Sequence, residues 1–419
     1  MMRHQTESTH RPSAPPRIPE VDFDQAPFLV IWETTQACDL ACVHCRAEAR
    51  PCRDLGELST LDAMRLMNDV RRFGRPLFVL TGGDPFKRPD LVDLVEHGAR
   101  IGLRMGLTPS ATPLVTAERL AALRDAGLAR LAISMDGPDP ETHDTFRGMP
   151  GSFQRSLEIL ETARSLGLST QVNTTVTRST LDTFDAMAEL VAELGISLWS
   201  VFFLVPTGRA KAEDVAGAEE FEKVFHRMYD LSKDASFDIK STAAPHYRRV
   251  ILQRQVQERK RGERRAPPEP LTGGVGFHMG RGSGAGPAIP ATARAKGVND
   301  GNGFVFVSHL GDIYPSGFLP LGVGNVRSDD LVEVYRESPL LQALRDPDRL
   351  KGKCGVCEYR AVCGGSRARA YAVTGDPLEA EPYCTHIPTR WKHMQAEGVS
   401  RRSERGGTGK TQRLPVLGG

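Results

Sequence analysis

Apolar and polar positions alternate in a regular order between residues 28 and 205. Short apolar runs suited to buried strands occur at 28–32, 77–80, 103–107, 131–133, 171–176 and 198–205. Stretches with apolar residues at helical spacing lie between them, at 61–73, 91–99, 117–126, 153–166 and 183–194. Apolar runs that alternate with amphipathic helices are typical of a parallel sheet covered by helices. The pattern therefore predicts an α/β fold, a partial (β/α)6 TIM-like barrel.

Polar and glycine-containing motifs stand where these apolar runs end. They are the cysteine segment 38–45 and the motifs at 81–84 (Thr-Gly-Gly-Asp), 108–110 (Thr-Pro-Ser), 134–137 (Ser-Met-Asp-Gly), 173–175 (Asn-Thr-Thr) and 206–209 (Pro-Thr-Gly-Arg). Active sites of β/α barrels form at the C-terminal ends of the strands. We therefore expect one face of the sheet to carry the functional site.

The rest of the chain divides into segments of different composition. Residues 1–27 are polar and proline-rich, and we expect a disordered leader before the barrel at 28–205. A helical bridge is expected at 206–253, followed by a flexible insert rich in Arg, Gly and Pro at 254–300. A compact segment is expected at 301–390, and the basic, glycine-rich residues 391–419 are expected to be a disordered tail.

Charge and hydropathy narrow the classes of partner. The chain has 54 basic and 52 acidic residues and a net charge of +2, which favours neither nucleic acid nor a membrane surface as partner. No apolar run fits a signal peptide or a membrane span, so we expect a cytoplasmic protein. The eight cysteines fall into two distant clusters, an arrangement that favours metal sites over disulfides in such a chain.

The first cysteine cluster has the spacing Cys38-x3-Cys42-x2-Cys45. Iron–sulfur clusters are normally held by Cys thiolates, and three thiolates leave one iron of a [4Fe–4S] cluster open. A structural zinc site is the alternative, with His44 or Cys52 as fourth ligand. The spacing resembles the signature of the radical S-adenosylmethionine (SAM) superfamily. This resemblance, which spans residues 28–205, implies that the three cysteines are catalytic cluster ligands and that SAM chelates the open iron.

The same resemblance implies a SAM pocket at the neighbouring strand ends. Gly82 and Gly83, whose backbone allows close approach, resemble the glycine pair that holds the SAM amino group, and Asp84 stands where relatives have glutamate. His44 falls where relatives have an aromatic residue beside the adenine. Arg147 resembles the arginine that pairs with the SAM carboxylate. The other SAM contacts that the resemblance implies are Ser134, Asp136 and Asn173.

The second cluster supplies four thiolates, from Cys354, Cys357, Cys363 and Cys384. Four cysteines suit a fully coordinated [4Fe–4S] cluster or a tetrahedral zinc ion. Their pattern resembles the SPASM/twitch extension of radical SAM enzymes, which carries auxiliary clusters. The resemblance implies a small C-terminal iron–sulfur domain with an auxiliary [4Fe–4S] cluster for electron transfer.

Further motifs resemble the haem-synthase and haem d1 branch of the superfamily; they lie at 31–35, 56–60, 205–209, 244–247 and 363–371. Enzymes of this branch remove or alter propionate side chains of iron porphyrins. The resemblance implies an oxidoreductase or lyase of haem biosynthesis with a tetrapyrrole substrate and a donor such as flavodoxin or ferredoxin. Ala243, Ser316 and Ser366 stand where relatives often have Cys, which leaves thiolates for one auxiliary cluster.

Two other functions stay open at this stage. One is a maturase that introduces a cross-link, an epimer or a thioether into a ribosomally made peptide. The other is a zinc- or iron–sulfur-holding binding protein without SAM turnover. His246 and Tyr247 are candidates for contact with a porphyrin or its iron. The basic run Arg259, Lys260, Arg261, Arg264 and Arg265 is either a solvated loop or a contact for substrate carboxylates.

Overall fold

A single sheet organises the residues that the computed structural model describes, 22–262 and 297–395. Its strands are β1 (Leu29–Glu33), β2 (Leu77–Thr81), β3 (Arg104–Leu107), β4 (Leu128–Ser134), β5 (Ser169–Val176), β6 (Leu198–Phe203), β7 (Asp238–Thr242), β8 (Phe304–Val307), β9 (Asp312–Tyr314) and β10 (Gly324–Asn325). They follow the order β10-β9-β8-β1-β2-β3-β4-β5-β6-β7. The strands from β8 to β7 in this order pair in parallel, and β9 and β10 add antiparallel pairs. The predicted α/β partial barrel is confirmed.

Helices connect the parallel strands and cover the sheet. They are α1 (Thr60–Arg72), α2 (Leu91–Arg100), α3 (Ala117–Asp125), α4 (Pro140–Arg147), α5 (Ser152–Ser165), α6 (Phe184–Glu193), α7 (Ala218–Leu231), α8 (Tyr247–Lys260), α9 (Leu331–Glu337), α10 (Pro339–Arg345), α11 (Gly352–Gly355) and α12 (Arg367–Thr374). At the start of α1, the Ser59 side chain accepts a hydrogen bond from the Asp62 backbone N–H, and the Asp62 carboxylate accepts one from the Ser59 N–H. This capping box fixes where α1 begins.

The alternation of side chains along each strand decides what faces the barrel interior. Val30 and Trp32 on β1, and Phe78 and Leu80 on β2, are fully buried in the main hydrophobic core. Successive side chains of a strand point to opposite faces. Residues between them, such as Ile31, therefore line the interior of the barrel, where a cavity lies.

Three segment boundaries differ from the expectations. Phe23, in the expected leader, is 4% exposed, and its carbonyl accepts a 2.7 Å hydrogen bond from the Tyr335 hydroxyl. β7 lies inside the expected helical bridge; its polar sequence Asp-Ile-Lys-Ser-Thr lacks an apolar run because part of it lines a cavity. α8 continues into the expected insert as far as Lys260. Residues 297–300 of the expected insert are described, with Asp300 buried, and residues 391–395 of the expected tail are helical. The other residues of the expected leader, insert and tail are 1–21, 263–296 and 396–419, outside the described residues.

The C-terminal segment is joined to the barrel by backbone pairing. Phe304–Val307 pairs in parallel with residues 29–32 of β1, so the sheet continues from the barrel into the segment that carries the second cysteine cluster. Such a long-range pairing has no local sequence signal. Among the described residues, none of the helices has the length and apolar character that crossing a membrane requires.

Candidate functional site

The three cysteines of the first cluster lie in the loop after β1. Cys38 and Cys42 are buried and Cys45 is half-buried, whereas Cys52 is exposed. The Sγ atom of Cys38 lies 3.2 Å from the Ser110 hydroxyl, which belongs to the motif after β3. Burial raises the pKa of the Cys38 thiol. Metal ligation by such a thiol therefore releases a proton.

Gly82 and Gly83 set the distance between β2 and the cysteine loop. A Cβ atom on Gly82 would collide with the backbone of Thr35, and one on Gly83 with the backbone of Ala37. The N–H of Gly83 donates to the Thr35 carbonyl at 2.7 Å, and the N–H of Asp84 donates to the Ala37 carbonyl at 2.7 Å. The sequence suggests glycine here for approach of a ligand. In the structure, the space of the missing side chains is filled by the cysteine loop itself.

The position of Asp84 differs from the one expected for a contact with SAM. It is 0% exposed and is absent from the residues that line the neighbouring cavity. Its carboxylate accepts hydrogen bonds from the Thr112 hydroxyl at 2.7 Å and the Phe86 N–H at 3.1 Å. The short aspartate side chain thus folds back onto its own loop and caps the 3-10 turn Pro85–Lys87. In this geometry the carboxylate supports the loop.

Asp136 and Arg147 form a buried ion pair beside the cluster loop. The Asp136 Oδ2 and Arg147 Nη2 atoms are 2.6 Å apart, and the other Asp136 oxygen accepts a 2.6 Å hydrogen bond from the Thr175 N–H. The Arg147 Nη1 atom lies 3.6 Å from the Cys42 sulfur. Burial acts to raise the pKa of Asp136, but Arg147, the neighbouring histidines and the Thr175 N–H together outweigh it and lower the pKa. Arg147 therefore joins a carboxylate to a cluster cysteine, and it also lines the cavity.

His143, which the sequence reasoning missed, positions Asp136. Its Nδ1 accepts a 3.1 Å hydrogen bond from the Asp136 N–H, and its Nε2 lies 3.2 Å from the Ser152 hydroxyl. Burial lowers the pKa of His143 to about 4. The ring is therefore neutral and carries its proton on Nε2. A histidine within an amphipathic helix gives no sequence signal for such a role.

The ring of His44 presents a flat, neutral surface at the site. It stacks on Phe146 with ring centroids 4.3 Å apart. Burial lowers the pKa of His44 to about 4, so the ring carries no charge at neutral pH. His44 lines the cavity.

These groups surround a cavity of about 220 Å³ at the C-terminal ends of the strands. Ser134 and Asn173 lie side by side in the register of β4 and β5. Of the residues expected in the first centre, those in the cavity wall are Cys38, Cys42, His44, Cys45, Gly82, Gly83, Ser134, Arg147 and Asn173. Asp84 and Asp136 lie behind the wall. The structure therefore brings together most of the predicted residues, which follow four different strands in the sequence.

The number of thiolates in each cysteine set bears on the group it would hold. Three thiolates, as in Cys38, Cys42 and Cys45, leave one iron of a [4Fe–4S] cluster open, whereas four saturate the cluster. Among the described residues, three potential ligand atoms within 4.8 Å of one another belong to Cys357, Glu358 and His386, beside the second set.

The second set of cysteines also lines a common pocket. Backbone N–H groups donate to three of the sulfurs: Glu381 to Cys354 at 3.3 Å, Tyr359 to Cys357 at 3.4 Å and Gly365 to Cys363 at 3.4 Å. Such hydrogen bonds tune the reduction potential of an iron–sulfur cluster. Burial raises the pKa of Cys357 to about 11. The donor set fits an auxiliary [4Fe–4S] cluster.

His246 lies in this second pocket and is absent from the wall of the barrel cavity. It is fully buried, its ring meets Phe225 edge-on at 4.7 Å, and neither ring nitrogen has a hydrogen-bond partner among the described residues. The expected contact with a porphyrin therefore does not match its position. Of the basic run, Arg259, Lys260 and Arg261 end α8, and Arg264 and Arg265 lie outside the described residues.

A second cavity, of about 230 Å³, occupies the barrel interior and shares part of its wall with the first. The shared residues are Arg46, Thr81, Thr108, Asn173, Phe202 and Phe318. Arg46 pairs with the buried Glu33 at 3.2 Å and lies 4.4 Å from the centroid of the Phe306 ring. Arg46 could not be predicted from the sequence, because one arginine beside a cysteine motif carries no signal of its own.

Comparison with known proteins agrees with this geometry. The family described as the radical SAM superfamily matches residues 32–191. An AdoMet-dependent heme synthase of Methanosarcina barkeri is 41% identical over 88% of this chain and 99% of its own length. Another, from Oleidesulfovibrio alaskensis, is 40% identical over 88% of this chain and 90% of its own length.

Solved structures share the fold. Streptococcus suis SuiB bound to S-adenosylmethionine superimposes with a TM-score of 0.63 at 16% identity, over 86% of this chain and 78% of that one. The same protein is also known bound to its precursor peptide SuiA. On the strength of the near full-length relatives, this chain belongs to the radical SAM superfamily, whose enzymes use a [4Fe–4S] cluster and SAM.

Proposed function

We propose that this radical SAM enzyme removes carboxyl groups from the propionate side chains of a tetrapyrrole, as a step of haem biosynthesis. The observation that carries the proposal is the 41% identity to an AdoMet-dependent heme synthase over 99% of that protein's length. The apolar side of the barrel cavity, which includes Ile31, Leu77, Val79, Phe304 and Phe306, suits a flat macrocycle.

We assign the first centre to SAM. Cys38, Cys42 and Cys45 would hold the cluster and leave its fourth iron to the SAM amino and carboxylate groups. When bound, the cluster supplies the electron that cleaves SAM to methionine and a 5′-deoxyadenosyl radical. Arg147 would pair with the SAM carboxylate while Asp136 fixes its guanidinium, and His44 would lie against the adenine. The backbone at Gly82 and Gly83 would meet the amino group.

The proposed reaction balances when one acceptor takes up the electron that decarboxylation releases. Hydrogen abstraction from the propionate carbon next to the ring gives 5′-deoxyadenosine and a substrate radical. Loss of CO2 from that radical forms a vinyl group and leaves one electron. An auxiliary cluster on Cys354, Cys357, Cys363 and Cys384 would accept this electron. A flavodoxin or ferredoxin in the cytoplasm would supply the electron for SAM cleavage.

Anaerobic turnover with iron coproporphyrin tests the proposal. The reconstituted protein is given SAM and dithionite, and 5′-deoxyadenosine, CO2 and vinyl-bearing porphyrin are quantified. We expect one CO2 and one 5′-deoxyadenosine for each vinyl group formed. Deoxyadenosine without porphyrin decarboxylation would refute the tetrapyrrole assignment and leave a peptide as the rival substrate class. Because SuiB is only 16% identical to this chain, its peptide substrate is a weaker guide.

A further inference from the structure

The wall of the barrel cavity has two chemically distinct sides. β1, β2 and β8 contribute apolar side chains, among them Leu29, Leu77 and Phe304. β4 and β7, which follow β3 in the strand order of the sheet, contribute the basic side chains of Arg130 and Lys240. Arg130 is the third of the seven residues of β4, four positions before Ser134, and Lys240 is the middle residue of β7. The proposed SAM chemistry uses neither residue.

Lys240 has no hydrogen bond or ion pair with any described residue. It is half-buried because its side chain lines the cavity. Burial and the nearby positive charge of Arg130 lower its pKa to about 8. Desolvation of an ammonium group without a counter-ion costs free energy. A charged lysine in such a place indicates a negatively charged ligand, which would offset the desolvation free energy.

The charges around Lys240 leave the floor of the cavity positive. Arg130 and Arg104 lie close enough to repel each other, and Asp238 supplies a negative charge near Arg130. Both Arg130 and Asp238 make further interactions of their own. Three cations and one carboxylate give this region an excess of positive charge. Of these four residues, Lys240 lines the cavity and has no polar partner among the described residues.

We propose that Lys240, with Arg130 beside it, binds a carboxylate group of the substrate at the floor of the barrel. The inference rests on the proposed function and adds the group that anchors the macrocycle. Arg130 precedes Ser134 by four residues on β4, which places the two about 13 Å apart along the strand. A carboxylate held beside Arg130 therefore belongs to the far edge of a substrate whose near edge reaches the SAM pocket. A macrocycle with propionates on its periphery meets this requirement.

Binding of iron coproporphyrin to Lys240→Met and Lys240→Arg tests the anchor. Methionine keeps the length of the side chain and removes the charge, whereas arginine keeps the charge. We expect the dissociation constant, measured from the porphyrin absorption band with the holoenzyme, to rise about 10-fold or more for Lys240→Met and to recover in Lys240→Arg. The porphyrin methyl ester should bind wild type and Lys240→Met equally. Lys223→Met, on an exposed face of α7, is the matched control and should bind as wild type does.

Thermal stability separates an anchoring role from a structural one. Since Lys240 has no partner, Lys240→Met should melt at the same temperature as wild type or higher. A lower melting temperature, or unchanged porphyrin affinity in a folded Lys240→Met, would overturn the anchor and leave the proposed function standing.

A second probe keeps the anchor testable if the proposed function fails. Benzene-1,3,5-tricarboxylate is titrated calorimetrically into wild type and Lys240→Met. Binding that depends on Lys240, in a protein that does not decarboxylate iron coproporphyrin, would retain the carboxylate site and reject the tetrapyrrole. Absence of binding for both probes would reject the carboxylate site as well.

Discussion

At the scale of single residues, hydrogen bonds decide the protonation state of the site. The Nδ1 atom of His143 can accept from the Asp136 N–H only while the ring is neutral. Asp136 in turn holds Arg147, and Arg147 approaches the sulfur of Cys42. A histidine outside the cavity wall therefore determines the position of an arginine within it.

Protonation of His143 should make stability depend on pH. Its pKa is lowered to about 4 in the folded protein from about 6.5 in the unfolded chain, so between these values the unfolded chain binds more protons. Stability then falls on acidification from pH 6.5 toward pH 4, by up to about 1.4 kcal/mol per pH unit for this group. Thermal midpoints at pH 7, 6 and 5 for wild type and His143→Gln measure it. The variant should lose less stability on acidification, and equal losses would contradict the assignment.

The cysteines of the first cluster should differ from Cys52 in their effect on iron. Cys42→Ala removes a buried thiol of the predicted ligand set, whereas Cys52→Ala removes an exposed one. We expect Cys42→Ala to lose about four irons per chain, the content of one [4Fe–4S] cluster, and to form no 5′-deoxyadenosine. Cys52→Ala should keep both its iron and its SAM cleavage. Iron loss in Cys52→Ala would point instead to a ligand set that includes this residue.

At the scale of elements, the site depends on how closely the loops after β1 and β2 pack. Backbone hydrogen bonds join these loops at Gly83 and Asp84, with no room for a side chain at position 83. The same contact places the glycine pair in the wall of the cavity at the C-terminal ends of the strands. The packing of these two loops against each other therefore also determines the shape of the pocket.

A single methyl group at position 83 should open this contact. In Gly83→Ala the new Cβ meets the backbone of Ala37, which cannot move aside as a flexible side chain would. We expect the first cluster to be lost or depleted, so that iron falls by up to about four per chain. Gly322→Ala is the matched control, because its Cβ would meet only Tyr314 at 3.8 Å. Full iron content in Gly83→Ala would show that the loop accommodates the methyl group.

At the scale of the whole molecule, one sheet joins the barrel to the segment that carries the second cysteine cluster. β8 pairs with β1, the strand that leads into the first cysteine loop. Arg369 of α12 donates hydrogen bonds to the carbonyls of Phe203 at 2.9 Å and Leu204 at 3.2 Å, next to the barrel strand β6. The C-terminal segment therefore contacts the barrel both at β1 and at the end of β6.

Removal of the C-terminal segment should damage the barrel more than loss of its cluster does. Deletion of residues 297–419 leaves the edge of β1 and the apolar residues Leu29 and Ile31 uncovered, and exposed strand edges aggregate. We expect this deletion to give insoluble protein. Cys363→Ser should stay soluble and retain about four irons in the first centre. Size-exclusion chromatography and iron analysis distinguish the two. A soluble, monomeric deletion variant would show that the barrel folds independently.

The sequence by itself determined the class of fold and most of the site. The alternation of apolar runs and amphipathic helices is a local property, and it located the six strands from β1 to β6. The spacing of Cys38, Cys42 and Cys45 is equally local, and its resemblance to the radical SAM signature indicated the chemistry. Because the carboxyl ends of parallel strands share one edge of a sheet, the motifs at those ends also predicted which residues meet.

Only the tertiary structure decided the rest, because each remaining feature depends on contacts between residues distant in sequence. The polar strand β7 has no apolar run, and the pairing of β8 with β1 crosses most of the chain. Asp84 turns to Thr112 and away from the cavity because the hydroxyl is within reach in the fold. Lys240 is an ordinary lysine in the sequence; its place opposite an apolar wall, without a partner among the described residues, exists only once the barrel is formed.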